Sequence, residues 1–126
     1  MILIIPRPAQ KNRLAKYYLY KWSYLEKNIN NVNQTQQVQA KILFSSLKKL
    51  TPDDLKFLAD KYRTDTSKGR TGVKDSIMAE RYGVGVETYV QQRITIESKL
   101  TKFIDASITF YKEDLYKAID LNVRGK

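Results

Sequence analysis

Gly85, Glu87, Thr88, Gln91 and Gln92 stand in one short polar run that follows a glycine turn. On the exposed side of a helix these residue types suit the edges of base pairs. Glutamine can pair bidentately with adenine, glutamate can accept from cytosine N4, and threonine can touch a thymine methyl. Cations flank the run. Lys68, Arg70 and Lys74 precede it, and Arg81, Arg93 and Lys99 lie on or after it. Lysine and arginine neutralise or bond phosphate oxygens, and helix amide ends near Val86 can do the same. The first set is the candidate for reading bases in double-stranded DNA, and the second is the candidate for holding its phosphates.

Other chemistry is poorly represented. The 126 residues include no cysteine and no histidine, which removes thiol nucleophiles, disulfides, cysteine zinc sites and histidine general bases. The carboxylate pairs Asp53-Asp54 and Glu113-Asp114 sit in helix-start or surface contexts. A binding protein with no catalytic residue, no metal and no cofactor is the expectation. Ser67 to Gly72 is basic and carries glycines, but the Gly-x4-Gly-Lys-Ser/Thr order of a P-loop is absent. The net charge is +10, which points to a polyanionic partner. Residues 1–50 carry nine Lys/Arg against one acid, Glu26, whereas residues 51–126 carry fourteen against twelve.

Hydrophobic periodicity and breakers divide the chain into helices that position these groups. Pro6 and Pro8 give an extended leader over residues 1–9. Leu14, Tyr18, Trp22, Leu25 and Ile29 recur at helical steps and predict one helix from Gln10 to about Ile29. An asparagine-rich loop over 28–34 follows, then a helix from Thr35 to Leu50 with Val38, Ile42, Leu43, Leu47 and Leu50 as its stripe. Thr51-Pro52-Asp53-Asp54 is a strong helix start, with a capping hydroxyl, a proline at the first position and acids at the positive dipole end. That helix runs to about Tyr62, and Arg63 to Gly72 is a polar loop.

Asp75 to Ile94 then reads as a helix, a tight glycine turn and a second helix. Ala79 supplies a small residue for close approach, and Gly83 suits a turn through positive φ. Met78, Tyr82 and Val84 surround them, and Tyr89 follows on the next helix. From Val86 to about Leu121 there is neither proline nor glycine, so the last helix is long, with one expected break near the weak helix formers Thr101 to Thr109. The fold expected is all-α, with five or six helices, a central-to-C-terminal helix-turn-helix and a long C-terminal helix. Residues 1–49 form a basic helical region and residues 50–126 carry the helix-turn-helix. Met1 to Ile5 is apolar but too short for a signal peptide. No apolar run approaches a membrane span, so a cytoplasmic protein with no membrane partner is expected.

The stretch from about Leu50 to Ile104 resembles region 4 of sigma-70-type factors, and the small ArpU-like phage regulators of late transcription that share this layout. Leu50-Thr51-Pro52-Asp53-Asp54-Leu55 is similar to the family's entry helix, and Met78 to Val84 (MAERYGV) to its "IAexLGV" segment. Thr88-Tyr89 takes the place of its "TV" pair, and Lys99-Leu100 that of its closing "KL". The resemblance implies a transcription regulator that lays the helix from Val86 in the major groove. Glu87 and Gln91 match positions where such factors contact promoter DNA.

The tyrosine-rich helix before residue 30 leaves partner roles open. Tyr18 and Trp22 share the apolar face and predict core. Tyr17, Tyr20 and Tyr24 form another face that, if exposed, fits a homodimer or a contact with RNA polymerase. Two rivals to the regulator stand beside it. One is a phage packaging or replication-initiation protein, since small terminase subunits also join a helix-turn-helix to oligomerising helices. The other is a basic helical adaptor for acidic protein.

Overall fold

The computed structural model describes residues 12–63 and 72–117. These residues are all-α. Six helices are present: α1 (Arg13–Leu19), α2 (Trp22–Lys27), α3 (Gln34–Leu47), α4 (Pro52–Tyr62), α5 (Asp75–Tyr82) and α6 (Val86–Phe110). A short helical run follows over 112–117, and there is no strand among the described residues. Among those residues no helix is long and apolar enough to cross a membrane.

Local chemistry sets most of the ends. The Asn33 side chain accepts from the Gln36 amide at 2.8 Å, and the Gln36 side chain accepts from the Asn33 amide at 3.2 Å. This capping box starts α3. Thr51 caps α4 through the Asp54 amide at 3.2 Å, with Pro52 in the first turn and Asp53 and Asp54 facing the helix dipole. The sequence expectation for this start holds.

Two expectations are corrected. The single helix from Gln10 to Ile29 is two helices within the described residues. At Tyr20 and Lys21 the ladder tightens, because the Lys21 amide bonds the Tyr18 carbonyl three residues back. The offset lets Tyr18 and Leu19 of α1 and Trp22 and Leu25 of α2 reach one core. α2 then ends at Lys27, which leaves Ile29 exposed instead of facing inward. The long last helix ends at Phe110, just beyond the region expected to break, and Tyr111 sits in a non-helical conformation before the run over 112–117. The expected leader and residues 118–121 of the last helix lie outside the described residues.

α6 is the central strut. At about 1.5 Å per residue it is roughly 37 Å long. Tyr89, Arg93, Ile96, Glu97, Leu100, Ile104 and Ser107 form its buried stripe. α1, α3, α4 and α5 all pack against it. One cluster of buried apolar side chains draws on both sides of residue 50, from Ala15 and Trp22 to Leu100 and Ile104. α3 crosses α6 where small hydroxyl residues meet. Ser107 Oγ lies 3.0 Å from Ser46 Oγ and 3.3 Å from Ser45 Oγ. Ser46 also donates to the Ile42 carbonyl at 2.6 Å, so the buried hydroxyls are satisfied. At the base of α1, buried Asn12 donates to the Ile94 carbonyl at 3.2 Å and accepts from Ser98 at 3.1 Å.

The serine contact sets the spacing of α3 and α6. Ser107→Ala is expected to lower stability by about 1 kcal/mol through the lost hydrogen bonds. Ser107→Leu is expected to lower it by about 1–3 kcal/mol by forcing the helices apart. Urea midpoints of the two variants check the order, and a leucine variant as stable as the alanine variant would contradict the close approach.

Candidate nucleic-acid interface

The turn between α5 and α6 is built from two backbone bonds. The Val84 amide donates to the Ala79 carbonyl at 3.0 Å, and the Gly83 amide to the Glu80 carbonyl at 3.1 Å. This is a Schellman closure, which needs a left-handed residue after the helix. Gly83 supplies it with φ of 67°. A Cβ there would meet no neighbouring atom, so backbone conformation alone selects glycine. Gly85 is different. Its φ is −68°, it caps α6 without a side-chain bond, and an added Cβ would again meet nothing.

Residues 80–88 are all exposed. The junction therefore projects from the surface while Met78, Ala79 and Tyr89 anchor it in the core. All five sequence candidates for base reading are exposed: Gly85 caps α6, and Glu87, Thr88, Gln91 and Gln92 lie on its first two turns. Thr95 continues this polar side and donates back to the Gln91 carbonyl at 2.9 Å. Glu87 stands in the first turn, where a carboxylate suits the helix dipole.

The phosphate candidates separate. Lys74 and Arg81 are exposed at the two ends of α5. Lys99 is half exposed, roughly 21 Å along α6 from Gly85, and pairs with Asp54 of α4 at 3.2 Å. Lys68 and Arg70 lie outside the described residues. Arg93 is corrected: it is buried and holds the fold together. Its position four residues after Tyr89 puts it on the inward stripe of α6.

Around Arg93 lies a polar cluster that sequence reasoning missed. Its Nη1 donates to Glu97 Oε1 at 2.9 Å, and its Nη2 to Asp75 Oδ2 at 3.2 Å. Arg93 Nε stands 3.1 Å from Asp75 Oδ1, close enough for an ion pair but not aligned for a hydrogen bond. Lys61 Nζ is 3.0 Å from the same Asp75 oxygen and also donates to the Val73 carbonyl. The Tyr62 hydroxyl donates to Glu97 Oε2 at 2.6 Å. Burial alone would lower the Arg93 value, but the Glu97 carboxylate, then Tyr62 and Asp75, hold it above its ordinary range. The Val73 amide returns a bond to the Lys61 carbonyl at 3.0 Å. Gly72 permits this close approach: its φ is 78°, and a Cβ would lie 2.5 Å from the Lys61 carbonyl oxygen. The cluster ties α4 and α5 to α6 beneath the exposed junction. A stack of Phe57, Tyr82 and Tyr89 joins the same three helices, with ring centroids 5.0 to 6.0 Å apart.

The tyrosine faces separate as the spacing predicts. Tyr18 and Trp22 are buried, and Tyr17, Tyr20 and Tyr24 are exposed. Lys21 sits 4.9 Å from the centre of the Tyr17 ring, and Gln39 donates to the Tyr17 hydroxyl at 3.2 Å.

Two tyrosines give opposite expectations for one chemical change. Tyr62→Phe leaves an oxygen of fully buried Glu97 without its donor and is expected to lower stability by about 1–3 kcal/mol. Tyr89→Phe removes a buried hydroxyl that has no partner, so stability is expected to hold or rise. Urea unfolding of the pair checks both directions.

Alkaline pH gives another measurement. Burial pushes the Tyr18 hydroxyl up to about 12. Burial, then the Asp60 carboxylate, does the same to Tyr82. Tyr62 and Tyr89 are raised chiefly by burial as well. Each folded value lies above the unfolded one near 10, so their contribution is complete below about pH 10 and is lost above it. The urea midpoint is expected to fall above about pH 10, with the tyrosinate absorbance of Tyr18, Tyr62 and Tyr89 appearing only on unfolding. A midpoint unchanged to about pH 11 would contradict the burial of Tyr18, Tyr62 and Tyr89.

Compared with protein-family models, curated protein sequences and solved structures, the chain matches none.

Proposed function

We propose that this protein is a sequence-specific, duplex-DNA-binding transcription regulator of the phage or prophage type, which reads the major groove with the start of α6. The observation that carries the reading is the exposed junction at Gly83. It presents Gly85, Glu87, Thr88, Gln91 and Gln92 on the first two turns of a helix braced by buried ion pairs. A base-reading helix needs a projecting polar end and a rigid base, because base edges discriminate only among well-placed donors and acceptors. The net charge of +10 supports a polyanionic partner. Lys74 and Arg81 place cations at both ends of α5. RNA polymerase or a second copy of the chain would take the exposed Tyr17 and Tyr24.

That aromatic face also favours a second reading, in which α1 drives self-assembly and DNA binding serves packaging. Size measurement in solution separates the two, since a large closed ring would move the assignment to packaging and a monomer or dimer would keep the regulator.

DNA binding itself is tested by fluorescence anisotropy with duplexes of selected and scrambled sequence. Gln91→Ala is expected to flatten the preference between duplexes by about 1–3 kcal/mol. Lys74→Ala is expected to weaken all duplexes alike and to reduce the salt slope by about 1. Absence of duplex binding even at low salt, where electrostatic attraction is strongest, would sink both DNA readings and leave an adaptor for acidic protein.

A further inference from the structure

α1 lies outside the helix-turn-helix, yet it shares a cavity with the start of α5. The cavity has a volume of about 210 Å³ and is lined by Lys16 of α1, by Tyr20 just after that helix, by Lys61 of α4 and by Arg93 of α6. Gly72 to Asp75 close another side. Four cations, Lys16, Lys61, Lys74 and Arg93, therefore face one carboxylate, Asp75. Asp75 is already contacted by both Lys61 and Arg93, and Glu97 stands behind Arg93. With both carboxylates counted, the surroundings keep a net charge of +2. Lys16 and Lys74 have no carboxylate partner among the described residues.

Neutral donors add to this charge. Lys74 caps α5 with no side-chain bond to the first turn, so the amides there keep unmet donor capacity. Tyr20 is 37% exposed and brings a phenol to the same cavity. A partly enclosed site with low-dielectric walls concentrates positive potential. Its occupant should be compact, singly anionic and rich in acceptor oxygens.

We infer that Lys16 of α1 and Tyr20 at its C-terminal end, together with Lys74, bind a phosphodiester group of the DNA backbone. The inference rests on the duplex-binding reading given above and extends it. Charge in the first fifty residues becomes part of the DNA grip, delivered at the entry to the helix-turn-helix. Lys16 sets the strength of binding and leaves base choice to α6.

The test uses the full chain with Lys16→Gln, Tyr20→Phe and, as a control, Lys41→Gln, an exposed lysine of α3. Duplex affinity is measured between about 50 and 200 mM salt, and amide spectra of Tyr20 and Lys74 are followed on adding inorganic phosphate. Lys16→Gln is expected to reduce the salt slope by about 0.9 with sequence preference unchanged. Tyr20→Phe is expected to weaken binding without altering the slope, and Lys41→Gln to match the parent. Phosphate should shift both amides in the parent and neither in Lys16→Gln. If the parent binds duplex and Lys16→Gln keeps the parent slope, this inference falls while the DNA reading stands. If phosphate shifts the amides but no duplex binds, the DNA reading falls and with it the phosphodiester assignment, leaving an anion pocket for a free phosphate. If neither ligand is bound, both fall.

Discussion

The ion pairs of Arg93 with Asp75 and Glu97 are the interaction on which the rest of the site depends. Helices packed by apolar contacts alone can slide with little penalty, because the hydrophobic effect has no direction. A buried charge pair is directional, and breaking it strands a charge in low dielectric. Asp75 opens α5, while Arg93 and Glu97 lie one turn apart on α6. Tyr62 and Lys61, adjacent at the end of α4, bond Glu97 and Asp75 respectively. Three helices are thus held in one register by five side chains. Gly72 belongs to this arrangement, since the backbone pairing of Val73 with Lys61 carries the chain into α5 at the right depth.

This bracing explains a division among the cations. Arg93, the first cation along α6, is consumed internally by Glu97 and Asp75. The exposed first turns of α6 are left with Val86, uncharged polar groups and one glutamate. Under the DNA-binding reading proposed above, electrostatic attraction comes from neighbouring elements: the ends of α5 and, through the cavity at Lys16, α1. Under that reading the layout separates selectivity from affinity, because uncharged amides discriminate among bases while lysines respond to any phosphate.

Much of this was legible in the residue order, where a local cause was enough. The Thr51 cap, the Gly83 turn, the burial of Tyr18 and Trp22 and the exposure of Gly85 and of four polar residues on α6 each follow from a few neighbouring positions. What was missed depends on distance along the chain. Glu97 bonds Tyr62 across 35 positions, and Asn12 reaches Ile94 across 82. The split between α1 and α2 has no proline or glycine to announce it; a three-residue hydrogen bond produces it so that both halves can face one core. Arg93 falls between these cases. Its place in the Tyr89, Ile96, Leu100 stripe was readable from the helical period, and its positive charge obscured it.

The uninterrupted length of α6 makes it a lever. Its first turns carry the exposed polar residues, and near its other end Ser107 meets α3. Over roughly 37 Å, a tilt of about three degrees about the serine end displaces the opposite tip by about 2 Å. That exceeds the tolerance of about half an ångström that a placed hydrogen-bonding group allows. The alignment of the tip is therefore sensitive to a pair of small hydroxyls near the far end of the rod as well as to the ion pairs beside it.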